Sequence, residues 1–437
     1  MPGTQKHRSS DAYFLSNEHF KLRLAKRSMP IPLPSKNAYK TVLSTVLVAI
    51  LSPALFGDTG DQAKRIHERL TGVPPTEAVL LEMITEIEAG DTTAAANIAM
   101  ENPAFYNVTL KNWATPWTNR DFDVFQPLND YSATVIGLIR DDKDFRDILS
   151  GDVAYTGAGR LGLPPYSTTN NDHYEALEDQ NIDMSNTNNL VEVTQSSLNG
   201  LPTGATAGVM TSRAAAKSFF VLGTNRAMFR FTLINHLCTD LEQLNDTARA
   251  PDRIRQDVSR SPGGDSRAFL NNCLGCHAGM DPMAQAFAYY NYDFDTEADP
   301  DAVSGRITYN NAGTIDAETG TRVVAKYHIN SSTFPYGYVT PDDTWDNYWR
   351  EGQNQSLGWD QTLNGSGSGA KSLGEELAAT TAFAHCQVEK AFELVCLRPP
   401  SNEQDRSRVA ILVDDFQSSG YNMKRVFAGS ADYCKGE

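Results

Sequence analysis

The segment Cys273-Leu-Gly-Cys276-His277 constrains this chain of 437 residues more than any other feature of its sequence. Its spacing is that of covalent c-type haem attachment, in which both thiols form thioethers to the vinyl groups of one haem. We therefore predict Cys273 and Cys276 as the haem-binding residues and His277 as the proximal iron ligand. Half of a zinc site and a redox dithiol are alternative interpretations of the same thiols. Because c-type haem is attached outside the cytoplasm, export of the chain would favour the haem interpretation.

The N-terminal residues have the order of a secretory signal peptide. Two lysines precede the apolar run of residues 41–51, and small residues follow it. The run is about half of the roughly 20 residues that a membrane-spanning helix needs. We expect residues 1–57 to be a cleaved leader of a periplasmic or otherwise exported protein with no integral membrane segment, an uncleaved anchor being the alternative. Met29 would begin a leader of ordinary length, so residues 1–28 could precede the true start.

The charge of the chain is strongly acidic. Its formal net charge is −16, and the residues after position 57 carry 30 Lys or Arg against 52 Asp or Glu, a net charge of −22. Such a surface would repel nucleic acid and anionic lipid, and it would favour basic partners or simple solubility. The remaining residues are enough for a sizeable core and suggest two or three domains.

Four cysteines lie outside the motif: Cys238, Cys386, Cys396 and Cys434. In an oxidising compartment their even number predicts two disulfides. Cys386 and Cys396 are expected on one helix about 15 Å apart, which is too far for them to bridge each other. Two pairings remain, in which Cys238 and Cys434 each take one of them, and four buried free thiols are the alternative.

Hydrophobic periodicity predicts a mainly α, multi-helical fold with a cytochrome c-like haem segment and a small β insertion. Strands are expected over residues 306–309 and 321–329, a flexible Gly/Ser link at 365–369, and a long loop over 151–210. Helices are expected at residues 62–70, 76–87, 93–100, 132–139, 214–244, 373–394 and 402–416. The predicted modules are 58–165 (N-terminal helical), 166–300 (loop plus haem-binding helical), 301–370 (β insertion and Gly/Ser link) and 371–437 (C-terminal helical).

Several segments together resemble the planctomycete-type exported cytochrome c proteins. They are Leu70-Thr-Gly-Val-Pro-Pro-Thr76, Asn102-Pro-Ala-Phe-Tyr, Cys273-x-x-Cys-His277-Ala-Gly-Met-Asp281-Pro282, Phe383-Ala-His-Cys386, Arg398-Pro-Pro, Asp405 and Ser419-Gly-Tyr421. They span most of the chain after the leader and occur in the order of that family. The resemblance implies a mostly helical, periplasmic haem protein whose biochemical role is poorly defined.

The second axial position of the iron would decide the function, because a Met or His there gives a six-coordinate electron carrier. His236 and Met210 are the distal candidates, since each has enough intervening chain to reach the far face of the haem. Met280 and Met283 follow the proximal ligand so closely that they are expected to pack at the haem edge. Further candidates are His328, His385 and Met423.

Two more groups of charged residues bear on ligand binding. Arg213, Arg226 and Arg230 are candidates to pair with the haem propionates, or else they are ordinary surface charges of a helix. Five acidic side chains could offer oxygen ligands to Ca²⁺, but they lack the spacing of an EF-hand and favour a solvated acidic loop. They are Asp293, Asp295, Glu297, Asp299 and Asp301.

These observations predict a periplasmic protein with one covalent haem c that exchanges electrons with a redox partner protein. The second hypothesis is a haem enzyme, peroxidase-like or oxidase-like, with an open distal site, and the size of the chain favours it. The third is a structural or scaffold subunit in which the haem holds helices together. The chain has no Gly-rich phosphate loop, no Gly-x-Ser-x-Gly elbow and no His-Glu-x-x-His motif, so hydrolase and nucleotide-binding functions have no support.

Overall fold

A computed structural model describes residues 58–436, so the predicted leader lies outside the described residues. The described part is mainly helical, which confirms the predicted fold class at that level. The α-helices are α1 Thr59–Thr71, α2 Glu77–Glu88, α3 Thr92–Met100, α4 Lys111–Ala114, α5 Asp130–Arg140, α6 Asp147–Ser150, α7 Asp172–Asp179, α8 Gln195–Asn199, α9 Arg213–Phe219, α10 Arg226–Leu237, α11 Ser266–Asn272, α12 Leu274–Ala284, α13 Gly369–Ala378, α14 Thr381–Cys396, α15 Glu403–Ser418 and α16 Met423–Cys434.

The first helices form where the sequence supplies caps and an apolar face. Asp58 caps α1 through the backbone N–H of Gly60, and Thr76 caps α2 through the N–H of Val79. Helices α1 and α3 both pack against α16, so the two ends of the described chain share one core. Trp113 and Trp117 lie edge to face with ring centroids 4.6 Å apart.

The helix predicted over residues 214–244 is interrupted. Helix α9 ends at Phe219 and α10 begins at Arg226, and the residues between them include Asn225 in the left-handed conformation, with a φ of 61°. The Asn225 side-chain amide donates to the carbonyl oxygens of Phe287 and Tyr290, both at 2.9 Å. The break is therefore held by contacts with a distant segment, which local helix propensity cannot register.

Strands occur as three separate two-stranded antiparallel sheets. β1 Ala154–Gly157 pairs with β2 Leu190–Val193, β3 Tyr290–Asp293 with β4 Arg306–Tyr309, and β5 Thr344–Asp346 with β6 Ser366–Ser368. The strand expected at 306–309 is confirmed as β4. Its partner β3 comes from the aromatic-rich segment 287–294, which follows the Cys-x-x-Cys-His motif.

The other local expectations need correction. Residues 321–329 do not form a strand but contain a 3₁₀ turn, Ala325–His328, because the Arg322 guanidinium stacks on Tyr289 at 3.8 Å and donates to the Asn310 carbonyl.

The tract 365–369 is not a free link, since β6 pairs with β5 there. A Cβ at Gly367 would lie 2.9 Å from the Trp345 ring, so only glycine fits. Residues 151–210 hold β1, α7, β2 and α8 rather than one long loop.

The four remaining cysteines form two disulfides. Cys238 pairs with Cys386 at a Cα separation of 5.3 Å, and Cys396 pairs with Cys434 at 5.4 Å. The sequence left two sets of pairs open, and the fold contains the set Cys238–Cys386 with Cys396–Cys434. The bonds fasten α14 to the end of α10 through Cys386, in its second turn, and to the end of α16 through Cys396, its last residue.

Within residues 58–436, no helix combines the length and the apolar character that crossing a membrane requires. One apolar cluster in this part of the chain extends from Ala63 to Ala431 and draws on all four predicted modules.

The two disulfides should contribute unequally to stability. The Cys238–Cys386 bond closes a separation of 148 residues and the Cys396–Cys434 bond one of 38, so chain entropy predicts that the longer loop stabilises by about 1 kcal/mol more. We expect Cys238→Ala/Cys386→Ala to lose that much more free energy of unfolding than Cys396→Ala/Cys434→Ala, measured by urea denaturation. Equal losses would mean that native contacts, and not loop closure, set the contribution.

Candidate haem-attachment site

The predicted haem motif begins a helix. Cys273 is the N-cap of α12 and also follows the last residue of α11, while Cys276 and His277 lie in the first turn. The His277 backbone N–H donates to the Cys273 carbonyl at 3.0 Å, which closes this turn. Residues three apart on a helix are surface neighbours, so both thiols are placed where one planar group could reach them.

The two motif cysteines are the thiols that the disulfides leave over. Both are half-buried, and the Cys276 thiol lies 3.3 Å from the Leu241 carbonyl oxygen, to which it can donate. Burial raises the pKa of the Cys276 thiol, with the charges of Glu242 and Asp240 adding to the effect. A redox dithiol depends on a lowered thiol pKa, so this environment does not favour that interpretation.

The His277 imidazole is held by a carboxylate on its own helix. His277 Nδ1 lies 3.2 and 3.3 Å from the two carboxylate oxygens of Asp281, one turn further on. An ionised carboxylate can only accept, so Nδ1 carries the proton and donates it. The lone pair that could bind a metal then belongs to Nε2. The side chain of His277 is 20% exposed, whereas that of Asp281 is fully buried.

Asp281 is kept ionised by two arginines. Burial by itself would raise the pKa of this carboxyl, but the charges of Arg226 and Arg255 together with the His277 contact hold it well below its ordinary value. Arg226 donates to Asp281 from Nε at 2.6 Å and from Nη2 at 2.9 Å. The same guanidinium donates twice to Asp257, at 2.6 and 3.0 Å. An Asp257–Arg226–Asp281 arrangement, fully buried at Asp281 and part-buried at Arg226 and Asp257, therefore lies on the Nδ1 side of His277.

The other predicted propionate contacts also have partners within the protein. Arg213 is buried, and its guanidinium donates to the carbonyl oxygens of Val303 at 2.6 Å, Thr169 at 3.1 Å and Gly305 at 3.2 Å. Arg230 is half-exposed and pairs with Asp240, with 2.7 Å between Nε and Oδ1. A propionate would have to compete with these contacts, so their role at a haem stays a prediction.

The two distal candidates lie close to each other in the main core. His236 and Met210 are 1% and 2% exposed, and both line a small cavity of about 10 Å³ formed by α5, α9, α10 and residues 209–210. The His236 Nε2 atom is 2.7 Å from the Tyr131 hydroxyl, and burial lowers the pKa of its imidazole well below the ordinary value. No residue of the motif lines this cavity, so the assignment of a distal ligand stays a prediction.

The remaining iron candidates, and the two methionines expected at the haem edge, lie in different parts of the fold. Met280 and Met283 are buried on α12. Met423, the first residue of α16, is buried in the main apolar cluster. His328 Nε2 lies 3.3 Å from the Thr340 carbonyl oxygen, and His385 is a half-exposed side chain 3.6 Å from the Glu389 carboxylate.

The acidic loop uses its carboxylates on its own backbone. Asp295 accepts from the N–H groups of Glu297 and Ala298, and Asp299 accepts from that of Ser304 at 2.6 Å. Across residues 58–436, no group of three or more His, Cys, Asp or Glu side chains is arranged to hold a metal ion.

Helix α12 is seated on a tryptophan that the sequence analysis did not single out. Trp349 is fully buried between α12 and Phe229 of α10, with ring centroids 5.8 Å apart. A Cβ at Gly279 would lie 1.9 Å from the Trp349 Nε1 atom. Asp281 was also missed as a functional residue, although its spacing of four from His277 on one helix could have indicated the contact.

No family model, curated protein or solved structure matches this chain.

Replacement of Gly279 by alanine should displace α12. The added methyl group would overlap the Trp349 ring, and overpacking of this kind costs about 1–3 kcal/mol. We expect Gly279→Ala to lower the free energy of unfolding by this amount in urea denaturation. Gly159→Ala is the matched control, because a Cβ there would have no atom within 4 Å. The same stability in both variants would show that Gly279 is not required for the packing of α12 against Trp349.

Proposed function

We propose that this chain is an exported c-type cytochrome that carries one covalent haem c and transfers electrons to or from a protein partner. One arrangement carries the proposal: two thiols outside the disulfides stand one turn apart beside an imidazole whose Nδ1 is already held. His277 can then offer only Nε2 to a metal, while Cys273 and Cys276 remain able to form thioethers. When bound, the haem supplies a one-electron couple.

The compartment and the partner are parts of the same proposal. Disulfides persist in oxidising compartments, so the pairs Cys238–Cys386 and Cys396–Cys434 support export, as does the predicted leader. The acidic surface favours a redox partner with a basic face. The resemblance to planctomycete-type exported cytochrome c proteins is consistent with this proposal but stays a prediction.

A haem enzyme, peroxidase-like or oxidase-like, is the second candidate, and one observation favours it. The buried Asp281 carboxylate behind His277 would make the imidazole a stronger electron donor to iron.

Covalent haem attachment is the first test. We expect the full chain, made in bacteria that mature c-type cytochromes, to give one haem per chain in the pyridine haemochrome assay. Cys273→Ala/Cys276→Ala should carry no covalent haem, because no other described thiol is outside a disulfide. His385→Ala, which replaces a half-exposed histidine, is the control and should keep the haem. An exported wild-type chain without covalent haem would contradict the proposal.

Carbon monoxide binding separates the carrier from the enzyme. A carrier with two protein ligands should show a low-spin iron in both redox states and should not bind CO, as followed by ultraviolet–visible and resonance Raman spectra. His236→Ala or Met210→Ala should then give a high-spin iron, whichever removes the sixth ligand. A high-spin ferric wild type that binds CO when reduced would support the enzyme instead.

A further inference from the structure

The fully buried carboxylate of Asp281 lies at the centre of a group of charges. It contacts the His277 ring on its own helix, the Arg226 guanidinium of α10, and the backbone N–H of Arg255 at 3.3 Å. The Arg255 guanidinium lies 3.9 Å away and is itself almost fully buried. Asp257 completes the group on the far side of Arg226.

This arrangement fixes the direction of the His277 ring. The carboxylate is held on one side by a bidentate arginine, which has a planar geometry and little freedom to rotate. The Nδ1–H donates into that fixed carboxylate, so the ring plane and the tautomer are set before any metal arrives. Nε2 points away from the contact with Asp281, because the two nitrogens lie on opposite sides of the ring.

The same contact would change the electronic properties of a bound iron. An imidazole whose N–H donates to a carboxylate is a stronger electron donor than one that donates to a neutral group. Stronger donation and a nearby negative charge both stabilise ferric over ferrous iron. Arg226 opposes part of this effect, since its positive charge lies against the same carboxylate, and Asp257 neutralises part of Arg226.

We propose that Asp281, held by Arg226, is the positioning residue of the iron site: it aims His277 Nε2 and lowers the reduction potential of the haem. The inference rests on the proposed function, because it requires His277 to ligate iron. It goes beyond that function because it assigns control of the iron's reduction potential to Asp281, which lies outside the Cys-x-x-Cys-His motif, and to Arg226 on α10.

A purely structural role is the competing explanation. Arg226 and Asp281 join α10 to α12, and any such pair would stabilise the fold without affecting a metal. The two explanations differ in the reduction potential, because an ion pair that only joins helices has no reason to shift the ferric–ferrous balance in one direction.

The test is a potentiometric titration of the haem-loaded full chain. Asp281→Asn keeps a side-chain oxygen near Nδ1 but removes the charge, so we expect the ratio of ferric to ferrous haem at fixed potential to fall about tenfold, a rise of about 59 mV for one electron. Asp415→Asn is the matched control: it also removes the acid of a bidentate Arg–Asp pair, with Arg425, but far along the chain on α15. Its potential should equal that of the wild type.

A second variant covers the case in which Asp281→Asn does not fold. Asp257→Asn leaves Arg226 to neutralise Asp281 alone, so the potential should rise by a smaller amount in the same direction. A wild-type potential in Asp281→Asn, or in Asp257→Asn where the first variant does not fold, would overturn the inference. Failure of the wild type to attach haem would instead overturn the proposed function, so the two failures are distinguishable by the haemochrome assay.

Discussion

The buried pairing of Arg226 with Asp281 is the interaction on which the candidate site depends. Two charges removed from water are costly unless the geometry is good and the remaining donors are satisfied. Here the guanidinium is bonded on two edges, by Asp281 and by Asp257, and the Asp281 carboxylate also receives His277 and the Arg255 backbone N–H. The loss of either partner would leave the other charge with fewer hydrogen bonds: Arg226 would keep Asp257, and Asp281 would keep His277 and the Arg255 N–H. Helix α12 is therefore joined to α10 by ion pairing as well as by packing.

Packing around this pair sets the position of the motif at the surface. Trp349 fills the space between Gly279 and Phe229, so α12 lies close against α10 on its buried side. On the other side, Cys276 and His277 remain partly exposed. An attachment site needs both properties, since the thiols must be reachable while the metal ligand stays rigidly oriented.

The parts of the fold that were predicted correctly depend on local chemistry. Side-chain caps and apolar periodicity act within a few residues, so α1, α2 and α3 could be recognised from the sequence. The parts that were wrong depend on distant partners. The break before α10 is held by the Asn225 amide on Phe287 and Tyr290, and the 3₁₀ turn after residue 324 follows the stacking of Arg322 on Tyr289.

The sequence by itself determined the Cys-x-x-Cys-His motif, the mainly helical character and the impossibility of a Cys386–Cys396 bond, because each rests on spacing along one helix or one short segment. Only the tertiary structure decided which cysteines pair and which groups stand behind His277. Cys238 and Cys386 are 148 residues apart, and Arg226 and Asp281 are 55 apart. Contacts at such separations arise from the packing of whole helices, and neither residue spacing nor local propensity encodes them.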